Sequence, residues 1–353
     1  MKLIDETVKA ISPQDGTARA KAKNRLDQLT MPHWALGKLM DLALELAGMT
    51  GSLRPAVERR AVVTMAADHG VAAESVSKYP REVTAQMVHN FVNGGAGINA
   101  LARAAGARVI VVDMGVAADL APLARAGKII SKRVAAGTRN MALGPAMTRE
   151  EAIRSVEAGI EVARELAEFD VLGTGDMGIG NTTAASAVVA AITGAPPGEV
   201  TGRGTGIDEV QFQRKVQVIE RALALNRPDS SDGLDVLAKV GGFEIGGIAG
   251  LILGAAALRK PVLLDGFPAS AGALIAQSLA PLSVEYMIAS HLSVEKGHAA
   301  MHSWLGKNPL LDLNLRLGEG TGAALAMNLV DAAVRILTEV ATFDEASVSK
   351  AET

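Results

Sequence analysis

The sequence contains no cysteine, and aromatic residues occupy only 3% of its 353 positions. Without cysteine the chain cannot form a disulfide, a thiolate zinc site or an iron–sulfur cluster, and it has no cysteine nucleophile. Neither charge is in large excess, because 35 Lys and Arg oppose 38 Asp and Glu. A nearly neutral chain with few stacking rings lacks the cationic surface that nucleic-acid binding requires. We therefore expect no nucleic-acid partner.

Long hydrophobic runs are also missing. The most apolar segment, residues 246–258, is too short and too rich in glycine to cross ~30 Å of hydrocarbon, so we interpret it as a buried helix. The first residues alternate charged and apolar positions too often to form the apolar centre of a signal peptide. We expect a cytoplasmic protein with no membrane span.

What the chain does have is a series of short, continuously apolar runs, separated by segments with helical spacing. Continuous hydrophobicity is typical of strands covered on both faces, as in a parallel sheet. Thr148 and Glu151 fit a capping box at the start of one intervening helix. The pattern predicts an open, mostly parallel Rossmann-like α/β sheet flanked by helices, with ligands at the carboxyl ends of its strands. The runs are residues 60–67, 108–114, 169–173, 261–266 and 283–289, and helices are expected to begin at Glu82, Asn181, Glu209, Gly246, Ala269 and Gly320.

The two ends of the chain have a different pattern. Residues 18–29 and 35–47 are helical in spacing with no strand between them. We expect residues 1–55 to form a small helical subdomain, joined by part of the C-terminal helix at 320–345, and residues 56–330 to form the α/β catalytic domain. Residues 346–353 are expected to be a frayed tail.

The densest group of glycines lies in residues 171–194, VLGTGDMGIGNTTAASAVVAAITG. We expect a strand to end at Gly173 and a helix to begin at Asn181, so that glycines and unpaired helix N–H groups favour an anion such as phosphate. A purely structural turn is the alternative. Gly173, Gly175 and Gly178 match G-x-G-x-x-G, but no acidic residue ends the next strand where a ribose would sit. A dinucleotide site is therefore disfavoured.

Two further glycine-rich stretches carry charged side chains. Residues 200–208, VTGRGTGID, precede a helix containing Lys215, whose ammonium would complete a phosphate pocket unless it is simply solvated. Glu319 lies between Gly318 and Gly320 ahead of an apolar helix. It is either a structural anion at the helix start or, in apolar surroundings that raise its pKa, a general base.

The first strand is followed by Asp68-His69-Gly70, which could hold a metal or a catalytic histidine. The six histidines show no ligand motif with matching acids. His298 and His302 are four residues apart but lack the glutamate of HExxH, so we interpret them as a structural pair. We predict no metal and no cofactor.

Several strings together resemble one family, the nicotinate-nucleotide:dimethylbenzimidazole phosphoribosyltransferases, which make the lower-ligand nucleotide of cobalamin. They run in order from about residue 60 to about residue 330. One glycine motif would prove little, but ten in order are highly specific. The strings are AADHGVAAESVS, PREVTAQMV, GAGINALARAAGARVIVVDMGV, GTRNM, GTGDMGIGNTTAAS, VTGRGTGID, GGFEIGGIAG, LLDGFPASAGALIA, SHLSVEKGH and LRLGEGTGAALAM.

The resemblance implies that nicotinate mononucleotide gives its phosphoribosyl group to a benzimidazole, with release of nicotinate, in a homodimeric enzyme. It implies Glu319 as the general base, with Asp176 as a second catalytic carboxylate. The other implied site residues fall into three groups: Gly178, Gly180, Asn181, Gly204 and Lys215 around the phosphate; Asp265 and Ser293, with Asp176, near the ribose and nicotinate; and Ser77, Tyr79, Gln86 and Leu317 around the benzimidazole.

Two positions depart from the family pattern. Asp176 stands where the family usually has glutamate, and residues 31–40, MPHWALGKLM, replace a string resembling KPPGSLGRLE. These changes leave open a transferase acting on another azole or phenolic acceptor, and a non-catalytic module that binds a mononucleotide. A nicotinamide-dependent dehydrogenase rests only on the literal G-x-G-x-x-G.

Overall fold

The structure, a computed structural model, describes residues 1–349, so part of the expected tail lies outside the described residues. Six parallel strands form the central sheet, and two more form a separate parallel pair. The strands are β1 Arg60–Ala67, β2 Ala107–Gly115, β3 Ile130–Ser131, β4 Val171–Met177, β5 Val262–Leu264, β6 Met287–Ala289, β7 His291–Ser293 and β8 Leu311–Leu315.

Sixteen α-helices are assigned between residues 1 and 349. The first eight are α1 Lys2–Ala10, α2 Gly16–Leu26, α3 Lys38–Thr50, α4 Val83–Val92, α5 Gly97–Ala104, α6 Ala121–Arg125, α7 Arg149–Glu165 and α8 Asn181–Thr193. The others are α9 Pro197–Val200, α10 Glu209–Asn226, α11 Gly233–Val240, α12 Phe243–Ala257, α13 Phe267–Leu279, α14 Lys296–Leu305, α15 Thr321–Glu339 and α16 Phe343–Ala346.

The main sheet has the strand order β3-β2-β1-β4-β5-β6. Arg60 in β1 pairs with Ala107 in β2 on one side and with Val171 in β4 on the other. Strands β2 and β3 therefore lie on one side of β1, and the chain then returns to place β4 on the other side of β1. Ligands in such sheets bind at this reversal, outside the carboxyl ends of the strands. The expected parallel α/β architecture is confirmed.

The glycines of β4 show why the expected end of this strand was wrong. We expected the strand to end at Gly173, but β4 continues to Met177. A Cβ on Gly173 would lie 3.0 Å from the Ala323 side chain, and one on Gly175 would collide with the Glu319 carbonyl oxygen. These glycines let α15 and the preceding loop approach the strand, so Gly173 and Gly175 are not part of a phosphate-binding turn.

Three other element boundaries also differ from expectation. Residues 283–286 belong to a 3-10 helix, Pro281–Tyr286, so only Met287–Ala289 of the expected run is a strand. The helix expected from residue 35 begins at Lys38, after Gly37 in the left-handed region with φ of 50°. The apolar segment expected from Gly246 is the buried helix α12, which begins earlier, at Phe243.

Helix α15 links the N-terminal helices to the sheet. It packs against α2, α3 and α5 on one side and against β1, β4 and β5 on the other. Among the described residues it is the one helix long and apolar enough to span a membrane, and 61% of that window is buried inside the protein. A core helix of a globular protein has the same length and composition and is buried in the same way.

Candidate active site

A cavity of about 320 Å³ lies at the carboxyl edge of the sheet, next to the point where the strand order reverses. Its volume is at the lower end of the range of about 300–1,000 Å³ that is common for small-molecule sites. Nine residues that the sequence suggested line it: Ser77, Tyr79, Asp176, Gly178, Gly180, Asn181, Gly204, Ser293 and Leu317. Distant parts of the chain therefore meet in one concave site.

Four suggested residues are not part of this lining: Glu319, Lys215, Asp265 and Gln86. Glu319 directly follows Leu317 and Gly318, which do line the cavity, and Lys215 lies behind the lining residues Thr182 and Gly204. Asp265 is buried beneath the Glu319 loop. Gln86 lies exposed on α4, so the structure does not bring it to the cavity wall.

Glu319 is held in an unusual backbone conformation. Its φ is 63°, and the flanking Gly318 and Gly320 have φ of 80° and 99°. A side chain in this left-handed region is strained, so the surrounding structure must stabilise it. The Thr64 hydroxyl donates to the Glu319 carbonyl oxygen at 2.8 Å, from the neighbouring strand β1. The glycines thus allow the turn, and β1 anchors it.

The carboxylate of Glu319 lies at the start of a different helix from the one the sequence suggested. Its Oε2 accepts from the Ile98 N–H at 3.1 Å, in the first turn of α5, whereas Glu319 immediately precedes α15. The side chain is only 5% exposed, and burial raises its pKa, although the Ile98 N–H lowers it. Oε1 has no hydrogen-bond partner in the described part of the chain and is not fully buried, so it is free to accept a proton.

Asp265 occupies the α15 N-terminus instead. Its carboxylate accepts N–H groups of Gly320 at 2.9 Å, Gly322 at 2.7 Å and Ala323 at 3.2 Å. Complete burial raises the pKa of Asp265 to about 7, although these backbone N–H groups lower it. Because both carboxylate oxygens are engaged with the backbone, Asp265 positions the Glu319 loop.

Asp176 lies at the end of β4 and lines the cavity. Its Oδ2 accepts from the Asn181 side-chain amide at 2.7 Å, while Oδ1 is buried without a partner among residues 1–349. Burial raises the pKa of Asp176 well above its usual value, and the nearby charges of Asp265, Glu244 and Glu319 raise it further. The protonated form of Asp176, which these effects favour, can donate a hydrogen bond.

The opposite side of the cavity is suited to an anion. Helix α8 begins at Asn181, after Gly180 with φ of 100°, and Gly180, Asn181 and Thr182 line the cavity, so the positive end of the helix dipole lies at its edge. Lys215 in α10 is fully buried, and its Nζ donates to Thr182 Oγ1 at 2.9 Å and to the Gly202 carbonyl at 3.2 Å. Burial lowers the pKa of Lys215 to about 8. The other interpretation offered by the sequence, in which Lys215 is simply solvated, is therefore wrong.

The remaining wall is apolar and open. Tyr79 is 54% exposed and Leu317 is 59% exposed, although both line the cavity. Ser77 lies beside Tyr79, and its hydroxyl is 3.3 Å from Thr205 Oγ1 in the neighbouring glycine-rich loop. Apolar surface left exposed at the mouth of a cavity is typical of a site for a flat, apolar ligand.

The Asp68-His69 pair lies behind the site. His69 Nε2 is 2.6 Å from Glu244 Oε1, and both side chains are buried. Asp68 accepts from the Ala117 N–H at 2.7 Å. A Cβ on Gly178 would lie 3.2 Å from the His69 ring, so this histidine packs under the glycine turn and supports it.

Comparison with known proteins agrees with this geometry. The model of a family described as phosphoribosyltransferase matches residues 11–348. Proteins named nicotinate-nucleotide--dimethylbenzimidazole phosphoribosyltransferase are 66% identical in Syntrophotalea carbinolica, over 99% of both chains, and 58% identical in Desulfotalea psychrophila, over all of both chains. The crystal structure of the Thermus thermophilus enzyme of that name covers 96% of this chain and has a TM-score of 0.89 at 50% identity; all of that chain is covered.

The chain belongs to the nicotinate-nucleotide:dimethylbenzimidazole phosphoribosyltransferase family. The family resemblance noted from the ten strings is therefore confirmed. This member keeps a carboxylate at Asp176, where it reaches the cavity despite its shorter side chain. Residues 31–37 form turns outside the cavity lining, and the Trp34 indole donates to Asp41 at 2.8 Å.

The sequence analysis did not suggest several of the residues that line the cavity. They are Val76, Met177, Ile179, Thr182, Thr205, Gly266, Phe267, Pro268, His291, Glu295, Arg316 and Gly318. Most lie within one or two residues of a suggested site residue, and this proximity was the one signal available. Among them, His291 has its pKa lowered to about 4 by burial, which keeps its ring neutral.

The paired histidines of α14 contribute to packing behind this wall. The rings of His298 and His302 are 4.1 Å apart. His298 Nδ1 accepts from the Ser293 N–H at 2.9 Å, and its Nε2 is 2.9 Å from the Ser270 hydroxyl. Both nitrogens of His298 are therefore occupied in holding β7 and α13 together.

Proposed function

We propose that this protein transfers the 5-phosphoribosyl group of nicotinate mononucleotide to 5,6-dimethylbenzimidazole, giving α-ribazole 5′-phosphate and nicotinate for the nucleotide loop of cobalamin. The observation that carries the proposal is the buried Glu319 carboxylate, with its raised pKa, at the edge of a cavity whose other side is suited to phosphate. The relatives named for this reaction, matched along the whole chain, support the choice of substrates.

In the proposed reaction, one benzimidazole nitrogen attacks C1′ of the ribose while the other loses its N–H proton to Glu319. The bond between C1′ and the pyridinium nitrogen breaks, and its electron pair neutralises that nitrogen. Nicotinate therefore leaves without being protonated, and one base suffices. Attack opposite the leaving group inverts the anomeric carbon. Carboxylates near the positive charge that develops on the sugar stabilise it.

The other suggested residues take roles that their positions support. Gly178, Gly180, Asn181 and Gly204 would hold the phosphate with Lys215 behind them. Ser293 and Asp176 would contact ribose and nicotinate, and Asp265 would act by fixing the Glu319 loop. The benzimidazole would lie against the lining residues Ser77, Tyr79 and Leu317, whereas Gln86 is not part of this wall.

Product formation tests this proposal. Purified protein is incubated with nicotinate mononucleotide and 5,6-dimethylbenzimidazole, and mass spectrometry detects α-ribazole phosphate and free nicotinate. A panel of other benzimidazoles, purines and phenols identifies the preferred acceptor. Tight binding of the mononucleotide without release of nicotinate would contradict the proposal and favour a non-catalytic binding module.

We further propose a homodimer in the cytoplasm, without a nucleic-acid partner. The apolar side chains of Leu36 and Leu53, on either side of α3, are exposed, and a partner subunit would cover them. Sedimentation equilibrium measures the mass of the particle, and fractionation of the source cells locates the protein. A monomeric mass, or recovery in the membrane fraction, would contradict these proposals.

A further inference from the structure

Glu295 lies between the main cavity and a second cavity of about 410 Å³, and it lines both. The side chain immediately precedes α14 and is 7% exposed. Its Oε1 accepts from the Gly204 N–H at 2.9 Å, while Oε2 is buried without a hydrogen-bond partner in the described residues. An unsatisfied buried carboxylate oxygen is costly, so its position requires an explanation.

The Glu295 carboxylate occupies part of the anion site assigned above to phosphate. It takes the N–H of Gly204, and its charge raises the pKa of Lys215, which burial lowers. Lys215 itself donates to two uncharged oxygens, of Thr182 and Gly202. Glu295 is therefore the anion that offsets the buried ammonium charge.

A phosphate group and this carboxylate cannot share the same donors. Both are anions, and their repulsion is strong where water is largely excluded. A phosphate also brings three acceptor oxygens, against the one that Glu295 uses on Gly204. The phosphate is therefore the better partner for Lys215 and Gly204, provided that Glu295 can move away.

The second cavity is suited to receive the displaced carboxylate. Its wall carries three cations, Arg203, Lys296 and Arg316, and one acid besides Glu295, namely Glu209, which is already paired with Arg203. A Cβ on Gly202 would collide with Glu295 Oε2, so glycine at this position is what permits the present orientation. The Glu295 carbonyl oxygen accepts from the His298 N–H, so the side chain can rotate while the backbone stays in place.

We propose that Glu295 is a placeholder for the substrate phosphate: its carboxylate holds Gly204 beside charged Lys215 as long as no phosphate is bound and turns towards Arg203, Lys296 and Arg316 when a phosphate monoester binds. The proposal rests on the phosphate site of the proposed function. It makes Glu295 a positioning residue that sets the affinity for phosphorylated ligands. A ligand without phosphate does not displace the Glu295 carboxylate.

The variant Glu295→Gln tests this proposal, because glutamine keeps an oxygen for the Gly204 N–H and loses the charge. Calorimetry with inorganic phosphate is done at about pH 6, below the pKa of Lys215, so that the ammonium stays charged in both proteins. We expect phosphate to bind about fivefold to tenfold more tightly to the variant, since one competing anion is gone. The KM for nicotinate mononucleotide is expected to fall by a similar factor, more than any change in kcat.

Two further variants make the result decisive. Glu199→Gln removes an equal charge from exposed α9, which packs beside α14, and should leave phosphate binding as it is. Lys215→Ala should weaken phosphate binding about 30-fold in both backgrounds. If Lys215→Ala weakens binding in this way but Glu295→Gln weakens it or leaves it unchanged, the placeholder is wrong and the phosphate site stands. If phosphate binding is unchanged in Lys215→Ala, both the assigned phosphate site and the placeholder are wrong.

Discussion

The two sides of the cavity use burial in opposite ways. On the side of the Glu319 loop, burial raises the pKa values of Glu319, Asp176 and Asp265, which favours the protonated form of each carboxyl group. On the phosphate side, burial lowers the pKa of Lys215 to about 8, and nearby Glu295 opposes that shift. Burial thus makes the carboxyl groups on one side better suited to proton transfer. On the other side, Lys215 needs a nearby negative charge to stay protonated and bind an anion.

The largest expected effect comes from removing the base. In Glu319→Gln the amide cannot take the benzimidazole proton, so we expect kcat to fall about 10³-fold, within the usual contribution of general base catalysis. The amide oxygen can still accept from the Ile98 N–H, so the variant should fold. Steady-state kinetics gives kcat, and circular dichroism checks the fold. Unimpaired turnover would remove Glu319 as the base.

Removing the cation should act on substrate binding. Lys215→Ala loses a charged hydrogen bond to phosphate worth about 2 kcal/mol, so we expect the KM for nicotinate mononucleotide to rise about 30-fold. The KM for the benzimidazole should change much less. Equal changes in both constants would contradict phosphate recognition by Lys215.

The pH profile of the unaltered protein separates the two sides of the cavity. A base must be ionised to accept a proton, so kcat/KM should fall as the pH drops through the raised pKa of Glu319. The Lys215 ammonium is lost as the pH rises through about 8, so kcat/KM should also fall on the alkaline side. Lys215→Arg keeps its charge above that pH, and its alkaline limb should be absent or displaced upward. An unchanged limb in this variant would assign it to another group.

A smaller effect tests whether Asp176 is neutral. An amide resembles a protonated carboxyl group, because each offers one acceptor to Asn181 and one donor to the cavity. Asp176→Asn should therefore stay within about threefold of the parent in kcat/KM, while Asp176→Ala, which has no donor, should lose about tenfold. A much larger loss in the asparagine variant than in the alanine variant would show that the charged form is needed.

The smallest expected effect is on the base-binding wall. Leu317 is more than half exposed, and covering it with a flat ring would stabilise the complex by about 1 kcal/mol. Leu317→Ala should raise the KM for the benzimidazole about fivefold and leave the KM for the mononucleotide nearly unchanged. Leu313→Ala, at an exposed position outside the cavity, is the matched control.

Local patterns predicted some elements well and misplaced others for identifiable reasons. The run at residues 60–67 is strand β1 with the same bounds, and the Thr148–Glu151 capping box is present in both directions. Gly173 and Gly175 suggested a turn, because nothing in the local sequence shows that α15 and the Glu319 loop press against β4. Glycine marks a turn and a close approach alike, and only the neighbouring element distinguishes them.

The amino-acid sequence by itself determined the parallel α/β class, the strings that mark the family and the residue types at the site, because these depend on hydrophobic spacing and on chemistry-bearing residues near glycines. The tertiary structure decided which charged side chain contacts which hydrogen-bond partner. Glu319 precedes α15, yet it lies on the first turn of α5, and Asp265 takes the α15 N-terminus instead. Electrostatic partners depend on distances across the fold, and those distances are set by packing between segments far apart in the chain.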